Sequence, residues 1–139
     1  MITISISTTD DRKRDLIQAA FEFALKKLMP NKRNLHVDIY ICDMEDDVDG
    51  YHAFIDKGEH EIELSNDVSD DDLITALFHE MVHVRQTERK EMVDKGLIKK
   101  WKGEEFISVF STKDDYCKLP WEAEAYSLQE ELFQKWLRH

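Results

Sequence analysis

The stretch from Asp70 to about Thr87 constrains the fold most, because its apolar residues follow a helical period and no Gly or Pro interrupts it before Gly96. Ser69 precedes the stretch as an N-cap, and Asp residues fill the first turn, where the helix dipole favours negative charge. The sequence therefore predicts a helix that begins near Asp70, ends between Thr87 and Lys95, and has one side covered by a core. The residues of that side are Leu73, Ile74, Leu77, Phe78, Met81 and Val84.

Within this helix, His79, Glu80 and His83 form an H-E-x-x-H pattern. Positions i and i+4 share a helical face, so both imidazoles can reach one cation. Glu80 is adjacent to the first His, where it can accept a proton from a water molecule on that cation. This combination is typical of zinc hydrolases. The pattern therefore predicts a zinc ion (Zn2+) bound by His79 and His83, with Glu80 as a catalytic base.

A catalytic zinc site needs a third protein ligand, and a second predicted helix that starts at Pro120 offers two carboxylates. Glu122, Ala125 and Gln129 share one face of that helix, and the small Ala125 permits a close approach to another helix. Glu124 lies about 200° around the axis from Glu122. Either Glu could instead complement the dipole at the helix N-terminus. Two His from one helix and a carboxylate from another would leave a fourth position for water.

Length and composition favour one domain that spans residues 1–139, with 42% hydrophobic residues to form a single core. The two cysteines, Cys42 and Cys117, form no C-x-x-C pair, which argues against a thiolate zinc site and gives no reason to expect an oxidising compartment. We find neither a leader pattern nor an apolar run of membrane-spanning length. The expectation is a soluble, cytoplasmic protein with no membrane partner.

The charge balance is acidic, with 19 Lys and Arg against 30 Asp and Glu and a net charge of −11. A nucleic-acid partner would require a basic surface, so we expect none. One short basic run, residues 99–102, surrounds Trp101 and is followed at once by Glu104 and Glu105. We interpret it as a solvated turn anchored by its Trp.

The order of elements indicates an α+β fold. Residues 2–6 alternate Ile with Thr and Ser, which favours a strand, and Asp11 to Met29 has a helical apolar period that stops at Pro30. Three extended segments follow, at residues 35–41, 51–55 and 59–64. Together the strands predict a small, mostly antiparallel sheet packed against the first helix and the helix that carries the H-E-x-x-H pattern.

Two blocks, His79 to Gln86 and Leu119 to Ala125, resemble the small gluzincin-type metallopeptidases common in bacteriophage genomes, relatives of the ImmA/IrrE-like zincins. The resemblance implies a minimal zincin-like fold with an N-terminal helix, a small sheet, the H-E-x-x-H helix and a C-terminal glutamate helix. It also implies Glu122 as the third zinc ligand, with Glu124 in reserve. Tyr126 takes a position where the family often has Asp or Asn to brace a ligand His, and in this respect the chain departs from the family pattern.

The same resemblance implies peptide hydrolysis, in which Glu80 takes a proton from water and passes it to the leaving amine. An oxyanion donor is also needed. Tyr116 is favoured because it just precedes the Pro-Trp-Glu block, with Tyr126 and His52 as the other candidates. In zincins an edge strand ahead of the motif helix pairs with extended substrate, and the matching segment here is residues 59–64, whose acids would discourage acidic peptides.

The chain is too short for the second lobe that broad-specificity zincins use to form a deep cleft. The only segment long enough to cover substrate is 84–121, which we interpret as a helical or irregular flap that includes Trp101, Phe106, Val109 and Phe110, or else as a plain connector. We therefore expect a narrow specificity for a peptide or protein substrate, or activity gated by a partner.

Two other classes share these features. One is a zinc-binding, non-hydrolytic interaction module on a zincin scaffold, against which the retained Glu80 is the only argument, since a structural site needs no base. The other is a DNA-associated protease of the SprT-like kind, which usually completes the site with a third His and has a basic surface. The acidic balance and the Glu122 helix argue against this second class.

Overall fold

The computed structural model describes residues 1–107 and 113–139, and of residues 113 and 114 only the backbone. Among these residues, no helix is both long and apolar enough to cross a lipid bilayer. The helices and strands, numbered in chain order, are β1 (Ile2–Ser7), α1 (Asp11–Leu28), β2 (Leu35–Cys42), β3 (Gly50–Asp56), β4 (Glu59–Ser65), α2 (Asp70–Glu88), β5 (Met92–Lys95), β6 (Ile98–Trp101), β7 (Glu104–Ile107), α3 (Lys113–Cys117) and α4 (Pro120–Arg138).

The three long helices form where the sequence predicts them. Asp10 caps α1 and accepts a hydrogen bond from the Lys13 backbone. Ser69 caps α2 in the same way, with 3.2 Å between its Oγ and the Asp72 nitrogen. Pro120 is the first residue of α4. Local capping and helical period are enough to define these elements because both act within a few residues.

The first sheet has the strand order β1-β2-β4-β3. β1 is parallel to β2, β2 is parallel to β4, and only β3 and β4 are antiparallel. The α+β class is as predicted, but the prediction of a mostly antiparallel sheet is wrong for this sheet. Helix α1 returns the chain to the end of the sheet where β1 began, so β2 must run parallel to β1. The β3–β4 hairpin then inserts β4 beside β2, in the same direction.

The edge of this sheet next to α2 is β3, not the segment 59–64 that the sequence suggested. β4 lies between β2 and β3 and is paired on both sides. The turn at Gly58, where φ is +76°, reverses the chain so that β4 pairs inward. The edge position therefore belongs to residues 50–56.

One face of the sheet forms the core, and the other is polar. In β2 and β4 the side chains that point to the helices are buried, and those between them are polar and partly exposed. α1 and α2 cover the buried face, and α4 packs on the outer side of α2. Each large apolar side chain buried there contributes roughly 1.5–3 kcal/mol. Among the largest are Phe21, Phe78, Ile17, Ile39 and Ile62.

A second sheet, β5-β6-β7, is antiparallel and occupies much of the segment predicted as a helical or irregular flap or a connector. That prediction is wrong for residues 92–107, and Val109 and Phe110 lie outside the described residues. Lys102 and Gly103, both with positive φ, form the two-residue turn of a β-hairpin. The basic run thus belongs to β6 and this turn rather than to a turn alone. Its Trp is anchored as predicted, since Trp101 and Phe106 pack against Trp121 at the start of α4.

Candidate metal centre

Three side chains from two helices converge at one point. His79 and His83 project from α2, and Glu122 projects from the first turn of α4. Glu122 Oε1 lies 2.9 Å from His79 Nε2 and 3.2 Å from His83 Nε2, and the two imidazole nitrogens are 3.2 Å apart. Tetrahedral ligands bound at roughly 2.0–2.1 Å lie about 3.3 Å from one another. The three donor atoms therefore have nearly the spacing that a zinc ion requires.

Two glutamines set the orientation of the imidazoles. Gln129 Oε1 lies 2.7 Å from His79 Nδ1, and Gln86 Oε1 lies 2.8 Å from His83 Nδ1. The Gln86 amide can point only one way, because its Nε2 donates to the Trp121 carbonyl at 2.9 Å and to Glu124. Each Nδ1–H therefore donates to a glutamine oxygen, which leaves the lone pair on Nε2.

When both imidazoles are neutral, their two lone pairs and a carboxylate oxygen consequently meet with no proton between them. Such a set of acceptors is repulsive in a buried place unless a cation or a proton lies among them. Two nitrogens and one oxygen are the donor set of a catalytic zinc site with one position open to solvent or substrate. The residues present thus fit a zinc ion.

The pKa values of His83 and Glu122 also indicate that the cluster favours a positive charge. Burial disfavours the His83 imidazolium, but the hydrogen bond to Glu122 and its charge raise the pKa of His83 to about 9. Burial likewise disfavours the Glu122 carboxylate, but hydrogen bonds from His79 and His83 lower the pKa of Glu122 to about 2. In metal-free protein, a proton on His83 therefore takes the place of the cation.

Metal-free protein is expected to lose stability as the pH rises from 6.5 to 9. The folded-state pKa of His83 is raised from 6.5, so its contribution is complete below pH 6.5 and is lost by about pH 9. For a side chain that is only 12% exposed, the loss is about 3 kcal/mol. The pKa of Glu122 is lowered, so its contribution is lost only as the pH falls from 4.5 towards 2.

Urea unfolding in the presence of a chelator, at pH 6 and pH 9, measures this change in the free energy of unfolding. His83→Gln should remove most of the pH dependence, and His36→Gln, which changes a partly exposed His on β2, should keep it. An unchanged pH dependence in His83→Gln would show that the imidazolium is not held by Glu122.

Glu80 lies beside the cluster and is only 6% exposed. Burial raises the pKa of Glu80, and the charges of His83 and His79 oppose that effect. A Cβ atom on Gly50 would lie 3.1 Å from Glu80 Oε2 and 3.3 Å from the Glu63 carbonyl. The carboxylate therefore lies close to the backbone of β3, where a side chain larger than glycine would have to displace it by a few tenths of an ångström.

Gly50→Ala is expected to displace the Glu80 carboxylate by a few tenths of an ångström and to lower kcat/KM by up to about tenfold, with zinc content unchanged. Ala53→Ser is a matched control, because it adds one atom to the opposite face of the same strand. Peptide hydrolysis and zinc content of both variants measure the effect. Equal activity in the two variants would show that the carboxylate tolerates a methyl group at this position.

The three candidate oxyanion donors all lie near the cluster. The Tyr116 hydroxyl is hydrogen-bonded to Glu122, and burial together with the charge of that carboxylate raises the pKa of Tyr116. The centroids of the Tyr126 and His79 rings are 4.6 Å apart. Burial and a hydrogen bond to Cys117 raise the pKa of Tyr126. His52 uses one ring nitrogen to bind His60.

The sequence did not predict that Gln86 and Gln129 orient the two imidazoles by hydrogen bonds. Gln129 was placed on the face of Glu122, which the structure confirms, but its bond to His79 was not foreseen. The contact between Gln86 and His83 could have been predicted, because side chains three residues apart on a helix can touch. Tyr126 contacts His79 through its ring, with the two ring centroids 4.6 Å apart.

Glu124, the reserve ligand, does not belong to the three-donor cluster of the described residues. Its carboxylate lies 3.1 Å from Gln86 Nε2 and 3.7 Å from Arg85 Nη2. It thus helps to fix the amide that orients His83. The geometry favours Glu122 as the metal ligand.

The fold and this cluster define an α+β protein in which an H-E-x-x-H helix meets a glutamate helix. Comparison of the chain with known protein families, with curated proteins and with solved structures gave no match. Function is therefore inferred from the geometry and chemistry of the cluster itself.

Proposed function

We propose that the protein is a zinc metallopeptidase of the gluzincin type, in which His79, His83 and Glu122 hold the ion and Glu80 is the general base. The convergence of three acceptor atoms at zinc spacing carries the proposal. A purely structural site would need neither an open coordination position nor a buried carboxylate beside it. Here Glu80 provides that carboxylate, on the same helix as both imidazoles.

When bound, zinc would supply Lewis acidity that makes water a good nucleophile at neutral pH. Glu80 would take the proton from the attacking water and give it to the leaving amine, a role that its raised pKa favours. Gln86 and Gln129 would keep both imidazole lone pairs directed at the ion. The Tyr116 hydroxyl, which is beside Glu122, is the favoured donor to the oxyanion.

Strand β3 is the best candidate to hold an extended peptide. It passes directly by Glu80 at Gly50, and no strand of residues 1–107 pairs with its outer edge. A peptide that pairs with such an edge gains main-chain hydrogen bonds, and its alternate side chains face the site. Phe54 is on the same face of this strand as Gly50, is 51% exposed, and offers an apolar contact to those side chains.

A diverse peptide library incubated with zinc-loaded protein tests the proposal. We expect cleavage that a chelator stops and added zinc restores, detected by mass spectrometry of the products. The absence of any cleavage by fully loaded protein would contradict a peptidase active on its own and would favour the non-hydrolytic zinc-binding module.

A further inference from the structure

A chain of polar side chains connects the end of α2 to the flank of the candidate site. Lys32 Nζ lies 2.5 Å from Glu88 Oε1, and Glu88 Oε2 lies 2.7 Å from His60 Nε2. His60 Nδ1 then lies 2.9 Å from His52 Nε2. The side chains of His60 and Glu88 are 0% and 3% exposed. Burial of an ionised group is costly unless it is paired and hydrogen-bonded. Glu88 is stabilised at Oε1 by the ion pair with Lys32, where none of the described residues forms a hydrogen bond, and at Oε2 by hydrogen bonds.

The Glu88 carboxylate, at one end of this series of hydrogen bonds, determines where each proton along the series lies. The Glu88 carboxylate only accepts, and it takes hydrogen bonds from the Gly58 backbone and from His60 Nε2–H. At pH 7.5, above the ordinary imidazole pKa of about 6.5, each of the two rings is neutral and carries one proton, and burial lowers the pKa of His60 further. His60 Nδ1 is therefore an acceptor, and His52 must donate to it from Nε2. The Nδ1 of His52 is left with its lone pair.

His52 lies next to the candidate site on the face of β3 that carries Gly50. Its ring is stacked on the His83 ring, with centroids 6.2 Å apart and 28° between the planes. Two residues earlier, the missing side chain of Gly50 leaves space for the Glu80 carboxylate, whose Oε2 would lie 3.1 Å from a Cβ atom there. His52, whose Nδ1 keeps its lone pair, therefore lies beside the candidate site on the strand that is the best candidate to hold a peptide.

We propose that His52 is a hydrogen-bond acceptor for an N–H group of the bound peptide, and that Glu88 and His60 are positioning residues that fix its tautomer. The peptide contact rests on the proposed function, but the tautomer does not. In this tautomer His52 has no N–H left to donate to an oxyanion, which leaves the two tyrosines for that role.

The tautomer can be measured in metal-free protein labelled with ¹⁵N-histidine, by long-range ¹H–¹⁵N correlation spectra at pH 7.5. We expect His52 to be protonated on Nε2 and unprotonated on Nδ1. Glu88→Leu and His60→Phe should each convert it to a mixture of tautomers, since the first removes the acceptor for His60 Nε2–H and the second removes the acceptor for His52 Nε2–H. Asp38→Leu, which makes the same kind of change at the carboxylate bonded to His36, should leave His52 unchanged. A proton on Nδ1 in the wild type, or a single tautomer in both variants, would overturn the proposal.

The peptide contact is tested on zinc-loaded protein with a substrate from the library. His52→Leu should lower kcat/KM about tenfold at unchanged zinc content, and His52→Asn, whose Oδ1 can replace Nδ1 as an acceptor, should retain most of the activity. Equal losses in the two variants would overturn the contact. If loaded wild type cleaves nothing while the tautomer is as expected, the contact falls with the proposed function and the positioning by Glu88 stands.

Discussion

Glu80→Gln is expected to lower kcat for peptide hydrolysis about 10²- to 10⁴-fold while zinc content stays close to one ion per chain. The amide has the size of the carboxylate and fits the same place against Gly50, so the fold should be retained. What is lost is the ability to accept a proton from water and return it to the leaving amine. Steady-state kinetics on a library-derived peptide, together with metal analysis of the same sample, measures both quantities.

Glu63→Gln is a matched control for this variant. Glu63 lies on β4, its backbone carbonyl is close to Gly50, and its side chain is on the face of the sheet away from α2. The Glu63→Gln variant should therefore keep full peptidase activity. Loss of zinc together with activity in Glu80→Gln would mean that Glu80 holds the metal, and full activity would show that it is not the base.

Glu122→Ala is expected to weaken zinc binding by at least about 10²-fold, more than the change of an outer partner usually causes. It removes one of three donors and leaves two imidazole nitrogens facing an empty space. Glu122→Gln is a second variant in which the helix contact is kept and the charge is lost, so a failure of Glu122→Ala to fold does not decide the result. Competition with a chromophoric chelator gives the affinities.

Glu124→Ala distinguishes the two carboxylates of the glutamate helix. It should change zinc affinity much less, since Glu124 reaches the site only through the Gln86 amide. Tight zinc binding in both Glu122 variants, with loss of zinc in Glu124→Ala, would move the ligand assignment to Glu124.

The helices of this protein could be predicted from sequence because their causes are local. Ser69, Pro120 and the apolar period of α2 define element ends within one or two residues. The strand order and direction of the first sheet could not be predicted in this way, because they depend on which distant strands pair. Three consecutive extended segments read naturally as a meander, whereas β4 actually inserts between β2 and β3.

The candidate site likewise has residues that local sequence patterns predict and contacts that they do not. The two imidazoles and Glu80 follow from spacing on one helix. Pro120 predicts that Glu122 lies in the first turn of α4, but the choice of Glu122 over Glu124 came from the resemblance to the gluzincins. The contacts of Gly50 with Glu80 and of His60 with Glu88 join elements whose approach no local pattern encodes. Such contacts become visible only once the elements are packed.

A zinc-loaded crystal structure, with anomalous diffraction measured on both sides of the zinc absorption edge, tests the central claim most directly. We expect one ion bound by His79 Nε2, His83 Nε2 and a Glu122 oxygen at roughly 2.0–2.2 Å, with solvent in the fourth position. An ion bound through Glu124, an ion closed off by a fourth protein ligand, or an ion away from α2 would contradict it.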